Sequence, residues 1–312
     1  MSEHAVAVSA AGVAPAAPEV ETFSSIPSVF PEGRLFRIVL NRLTFLCRFD
    51  PHPGAKRLVV NLKGLKRRKS PPASELNARK LARKTRSHVL SIWDPSMILN
   101  RRLRSGIFLG TETRDPIDGV LAITRELGRQ LGLKQRRCVF MGRSGRGFAA
   151  LMAASRMGTG AVVAAAQTDL WPIRWVKTAS RVLAQFRRGI SAEEMAEKHS
   201  SRSSVITAYR EALKAGRTPR VALIYNQFDH HHYREHLQPF CRAFEAPIEG
   251  VSADGLILTY LVNHKRGHGV DRATIKRMIR AISHATGEGK PKQVKETADR
   301  RKAAGADLAL AS

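Results

Sequence analysis

The chain of 312 residues carries 53 lysines and arginines against 26 aspartates and glutamates, a formal net charge of +27. Hydrophobic residues make up 43% of it, enough for one large α/β domain with a full core, and no apolar run reaches the roughly 20 residues that span a bilayer as a helix. Cys47, Cys138 and Cys241 lie far apart, which excludes a disulfide framework and a paired-cysteine zinc site and points to the cytoplasm.

The N-terminal stretch MSEHAVAVSAAGVAPAAPEVETFSS lacks a basic start, and prolines interrupt its weak apolar tract. It reads as a disordered leader over residues 1–33 and not as a signal peptide. The excess charge concentrates between Arg34 and Arg104, in stretches such as KGLKRRKS and NARKLARKTR. Such a field attracts polyanions: nucleic acid, anionic lipid headgroups or acidic polysaccharide. A solvated basic surface with no partner accounts for it equally well.

In chain order, FRIVLNRLTFLCRF is compatible with a strand or a short amphipathic helix. RLVVNL, residues 57–62, is a buried strand by its β-branched, apolar run. A helix is expected in ASELNARKLARKTR, then a strand in HVLSIWDP, stopped by Asp94-Pro95, then a helix in DPIDGVLAITRELGRQLGL. CVFM is a strand that runs through a glycine-rich turn into a small-residue helix, and AVVAAAQ is the next strand. An insert over residues 168–219 holds Trp171, Trp175 and a capping-box pair, Ser191 and Glu194, and would lie over the site as a helical lid. RVALIYN resumes the sheet, followed by a His-rich helix, a strand near LILTYLV, a helix over residues 271–284 and a charged flexible tail over 287–312. Short apolar strands alternating with helices predict an α/β fold with a mainly parallel sheet over 34–286, in which ligands bind at the carboxyl ends of the strands.

At one such end stands Gly142-Arg143-Ser144-Gly145-Arg146-Gly147. A sharp strand-to-helix turn that lifts a serine hydroxyl needs small neighbours, and its usual signature is G-x-S-x-G. Here Arg146 replaces the last glycine. A plain connecting turn and a phosphate-binding loop at the helix N-terminus are the alternatives. Asp229 follows the strand RVALIYN, and His264 and His268 follow the next one. Serine, acid and histidine thus come in the order of a nucleophile, its orienting acid and its base. His268, between two glycines, is preferred to His264 as the base. Asp94 and Asp169 also follow strands and compete with Asp229 as the acid, although capping or loop hydrogen bonding suits each better. The oxyanion hole is expected from the N–H of Gly145 and the backbone of Gly64 and Leu65. Arg143, Arg146 and Trp171 are candidates for substrate contact. His232, Glu235 and His236 spell an inverted zinc-protease motif that lacks a framed third ligand, and His230, His231 and His232 form a cluster open to adventitious metal.

The chain resembles the α/β-hydrolase superfamily, and within it bacterial hydrolase-like proteins, some of them associated with capsule or cell-surface polysaccharide. The likeness rests on GRSGRGFAAL, close to an elbow of the form GSSGGGFAAL, and on IWDPSM, QTDLW, YNQFDHHHYREHLQPF and GHGV. It reaches from about Leu58 to Ile282. It implies Ser144 as nucleophile, Asp229 as acid and His268 as base in a serine hydrolase or acyltransferase acting on an ester or acyl group, with a small-molecule or saccharide substrate and neither metal nor organic cofactor. The arginines at 143 and 146 depart from the pattern. The competing expectation is an inactive hydrolase fold that holds nucleic acid or an acidic polymer on its basic surface.

Overall fold

In the computed structural model, residues 20–65, 75–100, 102–103, 105–170, 176–265 and 267–288 are described. Their strands are β1 (Glu21–Phe23), β2 (Leu35–Leu40), β3 (Leu43–Asp50), β4 (Leu58–Lys63), β5 (His88–Trp93), β6 (Cys138–Arg143), β7 (Gly160–Ala164), β8 (Val221–Asn226), β9 (Gly250–Val251) and β10 (Ile257–Val262). They form a single sheet in the order β1-β2-β3-β5-β4-β6-β7-β8-β10-β9. From β5 to β10 the pairings run parallel, and β3 is antiparallel to both of its neighbours.

The stretch FRIVLNRLTFLCRF is a hairpin. Asn41 and Arg42 both adopt positive φ, 50° and 60°, as a two-residue turn matched to strand twist requires. Burial alternates along β3, which sets the register of the pair. The central parallel strands are mostly apolar and are buried on both faces. One face carries Val60, Phe140 and Leu223 against helices Pro116–Gln130, Gly145–Met157 and Val205–Lys214. The other carries Val59, Met141 and Ile224 against helices Arg79–Thr85 and Arg272–Ala285.

Two sequence expectations change. The folded part extends into the stretch read as a leader: β1 pairs in parallel with β2, and Phe30 is buried against Phe36 and Phe49. A few apolar side chains among polar ones sufficed, because the edge of β2 was there to receive them. Of the helices between β7 and β8, the last, Val205–Lys214, belongs to the flanking layer and not to a cover. Its Tyr209 is fully buried and donates to the Pro219 carbonyl. Ser191 caps helix Ala192–Lys198, accepting from the Glu194 N–H as its spacing predicted. Trp171 and Trp175 lie outside the described residues. Among those residues no helix is long and apolar enough to cross a membrane.

Candidate active site

Ser144 sits between the end of β6 and helix Gly145–Met157, with φ 51° and ψ −128°. A non-glycine residue there is strained by about 1–3 kcal/mol and is held only by its surroundings. Its N–H donates to the Ala164 carbonyl on β7, and its carbonyl accepts from the Phe148 N–H. The crowding explains the glycines. A Cβ on Gly142 would stand 2.1 Å from the Arg146 carbonyl oxygen, one on Gly145 would stand 2.3 Å from Ile107, and one on Gly147 would stand 2.7 Å from the Ala166 methyl. The tight approach to β7 thus falls at position 147 and not at 146. Arg146 is half-buried, and its guanidinium donates to the Ser105 hydroxyl at 3.0 Å. The half-buried Ser144 hydroxyl does not cap its own helix, and among the described residues no hydrogen bond joins it to a histidine.

β7 separates β6 from β8, and β10 lies beyond β8, so the segments after β6, β8 and β10 open at one edge of the sheet. There Asp229 Oδ2 meets His268 Nδ1 at 2.8 Å. Asp229 is 8% exposed in its side chain and His268 44%, so the acid is anchored and the imidazole is open. A second imidazole shares the carboxylate: His232 Nδ1 lies 3.1 Å from Asp229 Oδ1, and its ring stacks on His268 with centroids 4.2 Å apart. Burial alone would raise the Asp229 carboxyl, but hydrogen bonds from His232 and His268 outweigh it and hold the group well below the usual carboxylate range. Burial lowers His232 despite the pull of Asp229, and burial with neighbouring imidazoles pushes His236 down to about 3. The anion is therefore met by a neutral, buried ring on one side and an accessible ring on the other.

The histidine loop is carried by Asn226, the last residue of β8. Its side-chain amide donates to the carbonyls of His264 (2.9 Å) and Gly267 (2.7 Å), and its oxygen accepts from the His264 N–H (3.3 Å). His264 thus belongs to the loop's support, and it is His268 that reaches the acid. Asp94 is fully buried and accepts from the N–H groups of Ser96 (2.8 Å) and Phe108 (2.7 Å). It fastens a loop whose Gly106 would place a Cβ 2.0 Å from its own carboxylate. Asp169 bridges through its backbone to Ser204. Gly64 and Leu65 follow β4, which pairs with β6, and the Gly64 carbonyl accepts from the Gly106 N–H at 2.7 Å. That bond braces the loop beside Gly145.

The inverted zinc-protease motif does not assemble. His232 and His236 are buried, while Glu235 between them is exposed, in a π-helical turn. The metal-capable group among the described residues is instead Asp229, His232 and His268, whose ligand atoms lie within 4.8 Å of one another. Two imidazoles and a carboxylate suit zinc, and a cation there would take the Nδ1 position through which His268 faces its acid. Asn226 was missed in the sequence, and His232 was read there only as a metal candidate and not as a partner of Asp229. His232 had a readable signal in the Asp-x-x-His spacing, which puts residue 232 over residue 229 in a first helical turn.

No protein-family model matches the sequence, and no curated protein matches it. Several solved structures resemble the fold. The capsule O-acetyltransferase of Neisseria meningitidis serogroup A superposes with a TM-score of 0.57 at 15% identity, over 84% of this chain and 98% of that one. FphF, a fluorophosphonate-binding serine hydrolase of Staphylococcus aureus, gives 0.53 at 12%, over 81% and 97%. A chain of the Glycosylation Associate Protein (Gap123) complex of Streptococcus agalactiae gives 0.56 at 13%, and this chain spans 47% of its length. The shared architecture is a mostly parallel sheet flanked by helices, of α/β-hydrolase type.

Proposed function

We propose that this chain of α/β-hydrolase-type fold is a serine hydrolase or acyltransferase acting on an ester or other acyl group, with Ser144 as nucleophile, His268 as base and Asp229 as acid. The observation that carries the reading is the Asp229–His268 pair, 2.8 Å apart at the edge of the sheet where the strained Ser144 turn also opens. With Nδ1 of His268 turned to Asp229, Nε2 is the nitrogen that takes the Ser144 proton. The freed oxygen attacks the acyl carbonyl, and the N–H of Gly145 with the backbone of Gly64 or Leu65 stabilises the oxyanion. Each such donor is worth about 3 kcal/mol in hydrolases of this kind. His268 then returns the proton to the leaving group, and water or a hydroxyl of an acceptor takes the acyl group. The reading requires Ser144 and His268 to close into a hydrogen bond when substrate binds, as catalytic pairs that are loose without ligand do. The resemblance to a capsule O-acetyltransferase favours a saccharide hydroxyl as acceptor.

A fluorophosphonate probe tests it. Wild type is expected to be labelled on Ser144, with labelling abolished in Ser144→Ala and slowed at least a hundredfold in His268→Ala. The open Ser144–His268 geometry and the net charge of +27 favour the competing reading, an inactive fold that holds polyanions. Folded wild type that takes no label would end the catalytic reading and favour the competing one.

A further inference from the structure

On the face opposite helix Gly145–Met157, a cleft of about 770 Å³ opens between the carboxyl ends of β4 and β6 and helices Arg79–Thr85 and Arg272–Ala285. Its size suits a small-molecule ligand and excludes a nucleic-acid duplex. Its described lining has two characters. Leu81, Met141, Met278 and Ile279 make an apolar floor, and Ile275 at the lip is 44% exposed. Around them stand seven lysines and arginines and a single acid, Glu75. The whole chain carries 53 basic residues to 26 acidic, so a ratio of seven to one is a local concentration and not a sample of the general excess.

Two of the seven are Arg143 and Arg146, the residues that flank the candidate nucleophile and depart from the elbow pattern. Lys80 and Lys84 come from one wall, and Arg272 and Lys276 from the other, all four exposed. Cations converging on a concave, low-dielectric surface focus a field on one small volume. Guanidinium and ammonium groups together match phosphate, by paired hydrogen bonds and by point charge. An apolar floor beneath them binds an alkyl chain, each buried methylene multiplying affinity about fourfold. A small inorganic anion leaves that floor unused, and a neutral ester leaves the rim unused.

We infer that the cleft binds a phosphorylated amphiphile, its alkyl or acyl chain on the floor and its phosphate on the cationic rim, as the substrate class of the adjoining Ser144 centre. The role as substrate rests on the catalytic reading above; the binding does not.

The test uses the full chain carrying Ser144→Ala, titrated calorimetrically with dodecyl phosphate below its micelle-forming concentration. One molecule per chain is expected. Adding Lys80→Glu and Lys276→Glu should weaken binding at least tenfold. Adding Lys134→Glu and Lys214→Glu, exposed residues away from the cleft, should leave it within twofold. Hexyl phosphate and inorganic phosphate should bind progressively more weakly. Circular dichroism melts of all variants confirm that each is folded. Unchanged affinity in the Lys80/Lys276 variant, equal weakening in the Lys134/Lys214 variant, inorganic phosphate binding as tightly as dodecyl phosphate, or non-saturating uptake by the general surface would each overturn the proposal. Fluorophosphonate labelling of wild type is scored separately. Saturable binding without labelling retains the cleft and removes the enzyme; labelling without saturable binding does the reverse.

Discussion

The arginine at position 146 shows how one side chain can mislead a motif. G-x-S-x-G places a glycine two residues after the serine because the helix there normally presses on a neighbouring strand. In this chain that pressure falls on Gly147, against Ala166, and the Arg146 side chain leaves toward Ser105. Arg146→Gly is therefore expected to keep the fold and the labelling of Ser144, because no crowding is relieved. Gly142→Ala is expected to destabilise by about 1–3 kcal/mol and to abolish labelling, since the new methyl meets the Arg146 carbonyl at 2.1 Å and backbone must move. Melting curves and probe labelling of the two variants check both outcomes. That Ser144, Asp229 and His268 lie at the carboxyl edge of the sheet was legible because each comes within a few residues of the end of an apolar run. Position 146 was not, because whether a Cβ fits depends on how far the neighbouring chain stands away, and that distance is a tertiary quantity.

The element that positions His268 against Asp229 is the loop between β10 and helix Arg272–Ala285. Asn226 ties it to β8 through the carbonyls of His264 and Gly267. Asn226→Ala leaves those groups without their donor, and a loss of about 1–3 kcal/mol follows. The effect on chemistry should be larger than that on stability. Fluorophosphonate labelling is expected to slow tenfold or more in a chain that still melts cooperatively, and an unchanged labelling rate would show that the loop holds His268 without Asn226. An asparagine closing a buried strand carries no signature in one sequence, because its partners lie about forty residues away across the sheet. The N-terminal hairpin was ambiguous for a different reason. Basic and apolar residues mix in FRIVLNRLTFLCRF with a period that fits helix or strand, and the Asn41-Arg42 turn lacks the glycine that usually marks such a hairpin. The alternation of strands and helices was plain because runs such as RVALIYN admit little else.

Across the whole molecule, the buried imidazoles set how stability responds to acid. His232, His236 and His284 are all buried, and burial lowers each of them. A histidine lowered in the folded state binds fewer protons than its unfolded counterpart between the two values. Its stabilising contribution is therefore complete above the unfolded value near 6.5 and declines as pH falls below it. For His236, pushed down to about 3, the decline from pH 8 to pH 5 is about 2 kcal/mol. Thermal melts over that range should show a falling midpoint, with a shallower fall in His236→Gln; a flat profile would mean that these rings protonate without unfolding the chain. Asp229 acts in a separate window. Its lowered carboxyl adds stability that is complete above the ordinary carboxylate value and is lost only in stronger acid.

The first strand of the sheet, Glu21–Phe23, has a further consequence. It is only three residues long, yet it occupies the outer rim of β2, and Phe23 and Phe30 sit edge-on to the Phe36 ring. A six-residue strand left bare at that rim would offer open amides and a phenyl face to any passing chain, the template from which edge-to-edge aggregation starts. The short strand thus serves as a guard on the sheet's border, and its value lies less in what it binds than in what it keeps from binding.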